Sequence, residues 1–310
     1  MQLEFQELAL IAEQMEQGIV VCSNNGTIEF ANPFASKFFA FNLNELIGKK
    51  VNQLSPDFKF NPEKMNESKV ILKGISVKNK FGISIHFNAT LIKAVSGERI
   101  IVMIEDITSE VQGQNGLIEK INCIEKLTKS RYMRDGQLTR SIQEILTESA
   151  IALKVERVNA WKADKDFTMI ECIGNYTRST NTFTNKTILM RREMPAYFKL
   201  LETQEIIATN YSLEDVRTEE LVSPYLEKHG ITSMIDIPIR IEGEMIGVVC
   251  FEQVGSPRKW DLTERKFGLF IAQLISLSLE SFEKQKGKQL LEKVLKEKNE
   301  LLAALSKQKK

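Results

Sequence analysis

Histidine is nearly absent from this chain, which carries only His86 and His229 among 310 residues. An enzyme needs a convergent set of nucleophile, base or metal ligands, and histidine, the commonest general base, offers only these two positions for one. The four cysteines, Cys22, Cys123, Cys172 and Cys250, lie far apart with no C-x-x-C pair. That spacing argues against a zinc site and against a disulfide framework, and leaves reduced thiols. Long apolar runs are missing too: none approaches the ~20 residues that span a bilayer. Residues 1–7 lack a basic region and an apolar stretch, so no secretory signal is expected and the expected location is cytoplasmic. Neither sign of charge is in excess, with 42 basic and 41 acidic residues and a net charge of +1. Such a balance offers no general field for nucleic acid or a membrane surface.

What is present suffices for ordinary folding. Apolar residues make up 43% of the chain, mean hydropathy is −0.19, and the length suits about two domains with connectors. Residues 3–16 place Leu3, Leu8, Ile11, Ala12 and Met15 at helical spacing. Gly18–Ser23 and Thr27–Asn32 flank Asn24-Asn25-Gly26, a strong short hairpin signal. Pro33 ends the strand and suits the first turn of a helix, in which Phe34, Phe38, Phe39 and Phe41 crowd together. Leu43–Gly48 reads as a second short helix, and 52–68 is a polar stretch with Pro56 and Pro62. Three strand-like runs follow at 70–77, 83–92 and 99–107. In the middle one Ile83, Ile85, Phe87, Ala89 and Leu91 form one face.

Gly18-Ile-Val-Val, Asn25-Gly26-Thr-Ile-Glu-Phe-Ala-Asn32, Glu45-Leu-Ile-Gly48 and Glu105-Asp-Ile-Thr108 occur in this order. Over about residues 8–110 this succession resembles a PAS domain.

In 109–135, Leu117, Ile121, Ile124 and Leu127 recur among charges at helical spacing. The stripe suits two helices side by side across a dimer, or packing on the chain's own domain. Gly113 and Gly116 speak against a helix running on from the last strand. Another amphipathic helix is expected over 135–154, strands over 155–163 and 167–173, and a loop over 175–185. A helix opens at Pro195, a short strand covers 205–209, and a helix begins at Asp215 with acidic residues in its first turns. Gly230 stops that helix. Then Ile235, Ile237 and Ile239 alternate with Met234, Asp236 and Pro238, and Glu242-Gly243 turns the chain into the apolar run Ile246–Phe251. Asp261 and Glu264 form a capping box before a helix whose Phe267, Phe270, Ile271, Leu274, Ile275 and Leu277 are expected to face a core.

Pro195-Ala-Tyr-Phe, Tyr225-Leu, Gly230-Ile-Thr-Ser-Met-Ile-Asp-Ile-Pro-Ile, Gly247-Val-Val-Cys-Phe-Glu and Arg258-Lys-Trp260 carry a second resemblance. Residues 136–282 resemble a GAF domain of the kind found in bacterial sensor kinases and diguanylate cyclases. The two resemblances imply an α+β chain. A PAS-like domain (1–110) and a GAF-like domain (136–282) would each hold a central antiparallel sheet flanked by helices. A helical linker (111–135) would join them, and a basic coiled-coil segment (283–310) would follow. In that last segment Leu291, Leu295, Leu302 and Leu305 lie near heptad spacing, weakened by Lys298.

Catalytic and cofactor signatures fail one by one. Neither histidine sits in a phosphoacceptor motif, no G-x-x-x-x-G-K-[ST] loop is present, and the cyclase signature is missing. His86 lies on the polar face of its strand, and His229 at a helix end suits a dipole partner. The flavin-binding cysteine motif of photosensory PAS domains has no counterpart near 51–60. Cys172 and Cys250 lack the neighbours of a bilin attachment site and are expected to be buried. Asn185-Lys186 and Phe198 match the spacing of cyclic-nucleotide GAF domains, but Glu202-Thr203 departs from their Asp-Glu pair.

Pocket candidates in the PAS-like half are Val21, Phe30, Phe34, Phe38, Phe39 and Phe87; in the GAF-like half they are Trp161, Tyr176, Phe183 and Tyr197. In each half the alternative is that these rings fill a core. Asp236, in an otherwise apolar strand, is a further candidate, unless it lies on a polar face. No catalytic residue, metal ligand or cofactor is assigned. The resemblance implies a sensory module that binds a small molecule or partner, forms a homodimer and drives an output domain or partner protein through its helices. A ligand-free interaction scaffold is the other reading.

Overall fold

The structure, a computed structural model, describes residues 5–55 and 67–308. Its contacts divide the chain into two compact units, 1–115 and 116–310. Leu3, Pro56 and Pro62 lie outside the described residues, as do the side chains of Leu8, Leu302 and Leu305.

The first unit begins with α1 (Phe5–Gln14), β1 (Gly18–Ser23), β2 (Ile28–Ala31), α2 (Pro33–Phe39) and α3 (Leu43–Leu46). It continues with β3 (Lys69–Lys78), β4 (Ser84–Lys93) and β5 (Arg99–Asp106). The strands form one antiparallel sheet in the order β2-β1-β5-β4-β3. The Asn-Gly turn forms with Gly26 at φ 79°, and the Asn25 side chain accepts from Thr27 N at 3.1 Å. Asn32 ties strand, helix and entry segment together. Its Oδ1 accepts from Ile19 N and Ala35 N, and its Nδ2 donates to Ala12 O and Gln17 O. Pro33 fills the first turn of α2 behind that cap. Along β4, Ile85, Phe87, Ala89 and Leu91 point into the core, whereas Ile83 precedes the strand and is exposed.

The connector departs from expectation. One helix, α4 (Thr108–Thr128), starts two residues after β5 and runs through Gly113 and Gly116. The cost of glycine in a helix, about 1 kcal/mol each, is too small to break it. Cys123 and Leu127 are buried and Ile124 packs on the same core, while Leu117, Ile118 and Ile121 remain exposed.

After α5 (Arg131–Arg134) and α6 (Leu138–Leu153), the second unit builds β6 (Arg157–Ala163), β7 (Met169–Thr177), β8 (Thr182–Thr184), β9 (Ile188–Met190), α7 (Pro195–Thr203) and β10 (Ile207–Thr209). Where a loop was expected at 175–185, β7 extends into a hairpin with β8. The expected helix at Asp215 is a 3-10 turn, Val216–Leu221, followed by a π turn, Val222–Leu226, and the short α8 (Glu227–His229). Pro224 lacks the N–H of a regular α-helix at this point. Then come β11 (Ile231–Ile241), β12 (Glu244–Val254) and α9 (Leu262–Gln308). The antiparallel sheet has the order β10-β11-β12-β6-β7-β8, with β9 also paired to β7.

Gly230 takes the left-handed conformation at φ 65°, and Glu242-Gly243 closes the hairpin at φ 51° and 88°. The Asp261 box forms, with Asp261 Oδ1 accepting from Glu264 N at 2.8 Å and Glu264 Oε2 accepting from Asp261 N at 3.1 Å. On one sheet face α6 and α9 cover Val158, Ala160, Ile235, Ile237 and Phe251. Of the positions expected to face this core, Phe270 and Leu277 instead lie exposed on α9. The other sheet face is covered by α7 and the 3-10 and π turns. The sheet interior is tight: a Cβ on Gly247 would sit 2.1 Å from Trp161 O.

Candidate functional site

The alternation on β11 puts Met234 and Asp236 on the face opposite to Ile235 and Ile237. With α7 and the turns packed there, that face is not a solvated polar one, and Asp236 has no exposed surface. A buried carboxyl must find partners or give up its charge. Tyr197, from α7, donates its hydroxyl to Asp236 Oδ2 at 2.7 Å. Cys250 stands opposite Asp236 in the β11–β12 register. Asp236 Oδ1 is buried without a hydrogen-bond partner. Burial, reinforced by the charge of Glu252, pushes the Asp236 pKa up to about 7, with the Cys250 thiol and Tyr197 hydroxyl pulling it part of the way back. Burial likewise raises the Tyr197 hydroxyl and the Cys250 thiol well above their ordinary values.

Two residues along β12, Glu252 is buried as well. Arg157 Nε donates to its Oε2 at 2.7 Å and the Tyr225 hydroxyl to its Oε1 at 2.7 Å. Burial opposes the charge on Arg157, but Glu252 beside it outweighs that and holds its pKa up. Asn159 joins the network, accepting from Trp161 Nε1 at 2.5 Å. Tyr225 comes from the π turn, a local irregularity frequent at functional sites. Glu220 Oε2 accepts from Tyr197 N at 2.9 Å and so holds α7 to the 3-10 turn.

Between these groups is a cavity of ≈ 10 Å³, lined by Trp161, Tyr197, Tyr225, Met234, Cys250 and Glu252 with Ile170, Leu189 and Leu221. It has room for about one water-sized group. Asp236 does not line it, but is hydrogen-bonded to one wall residue, Tyr197, and stands opposite another, Cys250.

The structure therefore brings Trp161, Tyr197 and Asp236 together. Tyr176 and Phe183 stack on each other at 5.0 Å elsewhere. Tyr176 belongs to the core under α6 and α9, because a bulge in the β6–β7 register at Ala160/Trp161 switches the side on which β7 residues fall. Arg157, Tyr225, Cys250 and Glu252 were not among the site candidates read from the sequence, although Cys250 was expected to be buried and is. A charged residue in a short apolar run, as Glu252 is beside Phe251, was the available signal. The His229 ring, in the last turn of α8, meets Tyr225 edge-on at 4.9 Å, and burial, with Arg157 nearby, lowers its pKa. Phe198 is core, and Glu202 pairs with Arg191 at 2.7 Å. Cys172 is buried, which raises its thiol to about 11.

In the first unit Phe38, Phe39 and Phe87 pack edge-to-face with centroids 5.1–5.7 Å apart. Phe34 stacks on Phe38 at 6.1 Å. Val21 and Phe30 are paired across β1 and β2 but only half-buried, since Val20 and Cys22 take the core side. Among the described residues no group of three or more histidine, cysteine or acidic side chains is placed to hold a metal ion. No described helix is long and apolar enough to cross a membrane.

Comparison with known proteins agrees with the two resemblances. Residues 6–73 match the model of a PAS domain and residues 137–279 that of the GAF domain. No curated protein matches the chain. Solved structures similar to it include the photosensory core module of the Stigmatella aurantiaca phytochrome, at 14% identity and a TM-score of 0.46 over 88% of this chain. The chain spans 58% of that one. The chromophore-binding domain of a bacteriophytochrome from R. palustris is similar at 13% identity and a TM-score of 0.44, covering 88% of this chain and 96% of that chain.

Proposed function

We propose, from the premise that this chain is a PAS domain followed by a GAF domain, that it senses a small molecule held in the GAF domain between the sheet and α7. Sensing is the role that the two domain types share. The observation that carries the site is a small cavity walled by Trp161, Tyr197, Tyr225 and the buried Glu252, with the buried carboxyl of Asp236 bonded to its wall residue Tyr197. An occupant would touch both the sheet and the Tyr197 and Tyr225 cover, so its arrival would be felt by α7 and the π turn. Phe38, Phe39 and Phe87 fill the PAS core, which supports a packing role for them rather than a second ligand site.

In this proposal residues 1–110 and 136–282 are the two domains, 111–135 the connector and 283–310 the trailing helix. The chain acts as a cytoplasmic homodimer without catalysis of its own, and passes the signal to an output domain or partner protein. Exposed Leu117, Ile118 and Ile121 on α4, with Phe270 and Leu277 on α9, support helix pairing between copies. Native mass spectrometry of the purified chain tests both parts. The expected result is a dimer with a bound small molecule that is lost in Asp236→Leu. A monomer at every concentration would remove the dimer. A dimer that never carries or takes up a small molecule would instead favour the scaffold.

A further inference from the structure

An antiparallel sheet with one face on a core commonly turns polar side chains outward on the other. The PAS sheet departs from this. Its core side is covered by α2 and α3, where Ala35, Phe39 and Leu46 pack. On the opposite side the strand register sets Phe30, Val21, Ile101 and Ile92 side by side from β2 to β4. The next row runs from Ile19 through Met103 and Thr90 to Ile71 on β3. None of these side chains belongs to the core cluster, and Ile71 is 54% exposed. The band crosses all five strands, about 20 Å at the usual strand spacing. A contiguous apolar surface rimmed by polar groups marks a docking site. Here polar pairs close the band at both ends. Arg99 Nε donates to Glu29 Oε2 at 2.7 Å, and Asn88 Nδ2 donates to Glu105 Oε2 at 2.9 Å.

The charges on the middle strand point to the occupant. β5 is third of five in the sheet, and its outward residues run Arg99, Ile101, Met103, Glu105. Reversed, that series is its own complement. Laid antiparallel on itself, it sets Arg99 against Glu105 at both ends and Ile101 against Met103 between them. Two copies related by a two-fold axis across the strands meet in this way, because such a contact presents the same patch from both sides. Aligned sheets packed face to face, about 10 Å apart, interdigitate side chains of this size. The bond to Glu29 uses Arg99 Nε, which leaves the two amino groups of Arg99 for the other copy's Glu105. We infer that the outer face of the PAS sheet is an interface with a second copy of this chain, packed β5 on β5 in antiparallel register. This rests on the reading of the chain as a homodimer and adds a contact separate from the helix stripes. Val21 and Phe30 then serve the interface rather than a ligand pocket.

The test uses the full chain carrying Met103→Cys and a short bismaleimide cross-linker, since the four native cysteines are buried. Sedimentation velocity on the same samples gives the oligomeric state. Met103→Cys should yield a covalent dimer, whereas Val95→Cys, on the fully exposed β4–β5 turn, should not. Adding Arg99→Glu or Glu105→Arg to Met103→Cys brings like charges together twice per dimer and should weaken that dimer about tenfold or more. Mixing the Arg99→Glu chain with the Glu105→Arg chain restores opposite charges at both ends, and cross-linking should return as the mixed dimer. Cross-linking that is undiminished in both charge variants, or not regained on mixing, would overturn the assignment. If Met103→Cys does not fold, Ile101→Cys carries the same series. A dimer in sedimentation that never cross-links through this face overturns the interface and leaves the homodimer reading to the helices. A monomer at every concentration removes both. A monomer whose Met103→Cys thiol also resists maleimide has this face covered by its own chain, which again overturns the interface.

Discussion

The hydroxyl of Tyr197 reaches Asp236 Oδ2 at 2.7 Å across the boundary between α7 and the central strand β11. A helix that covers the sheet is thereby fastened to a carboxyl whose other oxygen has no partner.

The first prediction concerns pH. Asp236 has its folded pKa raised to about 7 from an ordinary value of 3.8, so the folded chain binds the proton more tightly than the unfolded chain. Its contribution to stability is full below about pH 4 and is lost as pH rises through about 7. The facing groups are Tyr197 on α7, Tyr225 on the π turn, Cys250 and Glu252 on β12 and Arg157 on β6, the last two paired with each other at 2.7 Å. Urea unfolding between pH 5 and 8 should show stability falling with pH. The slope should be smaller in Asp236→Asn.

Removing Arg157 should be costly. Arg157→Met leaves Glu252 buried without its cation and should destabilise the chain by about 3–5 kcal/mol. The double variant Arg157→Met/Glu252→Leu should cost clearly less than the two single changes added together. Additive losses in chemical denaturation would contradict this.

Gly247→Ala should be severe although it adds one methyl group. The Cβ would lie 2.1 Å from the Trp161 carbonyl oxygen of the neighbouring strand, so the β12–β6 pairing has to open. We expect a loss of about 3 kcal/mol or more. Gly243→Ala, with open space around it but φ at 88°, should lose only about 1 kcal/mol. Thermal unfolding of the two variants gives the ranking.

In the PAS domain Asn32 is the residue to remove. Asn32→Ala deletes the cap of α2 and bonds to Ile19, Ala12 and Gln17. About 2–4 kcal/mol should be lost, since each unsatisfied buried partner costs about 1 kcal/mol or more. Hydrogen exchange should show the loss at the Ile19 and Ala35 amides first. Unchanged protection at both would refute the role.

Local signals in the sequence were enough for much of the fold. The Asn25-Gly26 and Glu242-Gly243 turns, the Asp261–Glu264 box and the alternation of β4 are written in residues a few positions apart, and each forms. Helix α4 shows the limit. Two glycines suggested a break, but their local cost is outweighed by the helical contacts around them, including the burial of Cys123 and Leu127. The mixed 3-10 and π geometry at 216–226 was equally hidden, because packing over the sheet selects it.

The sequence by itself determined that this chain folds as a PAS domain followed by a GAF domain, because periodicity, turns and caps are short-range and its motifs stand in family order. It did not determine where the site lies. Trp161, Tyr197, Tyr225, Asp236, Cys250 and Glu252 come from five separate elements. Which face of the sheet each occupies depends on strand order, on a bulge that turns Tyr176 away, and on the cover laid over β11. Only the tertiary structure made Asp236 a buried group lacking a partner, since burial belongs to the surroundings of a residue and not to the residue.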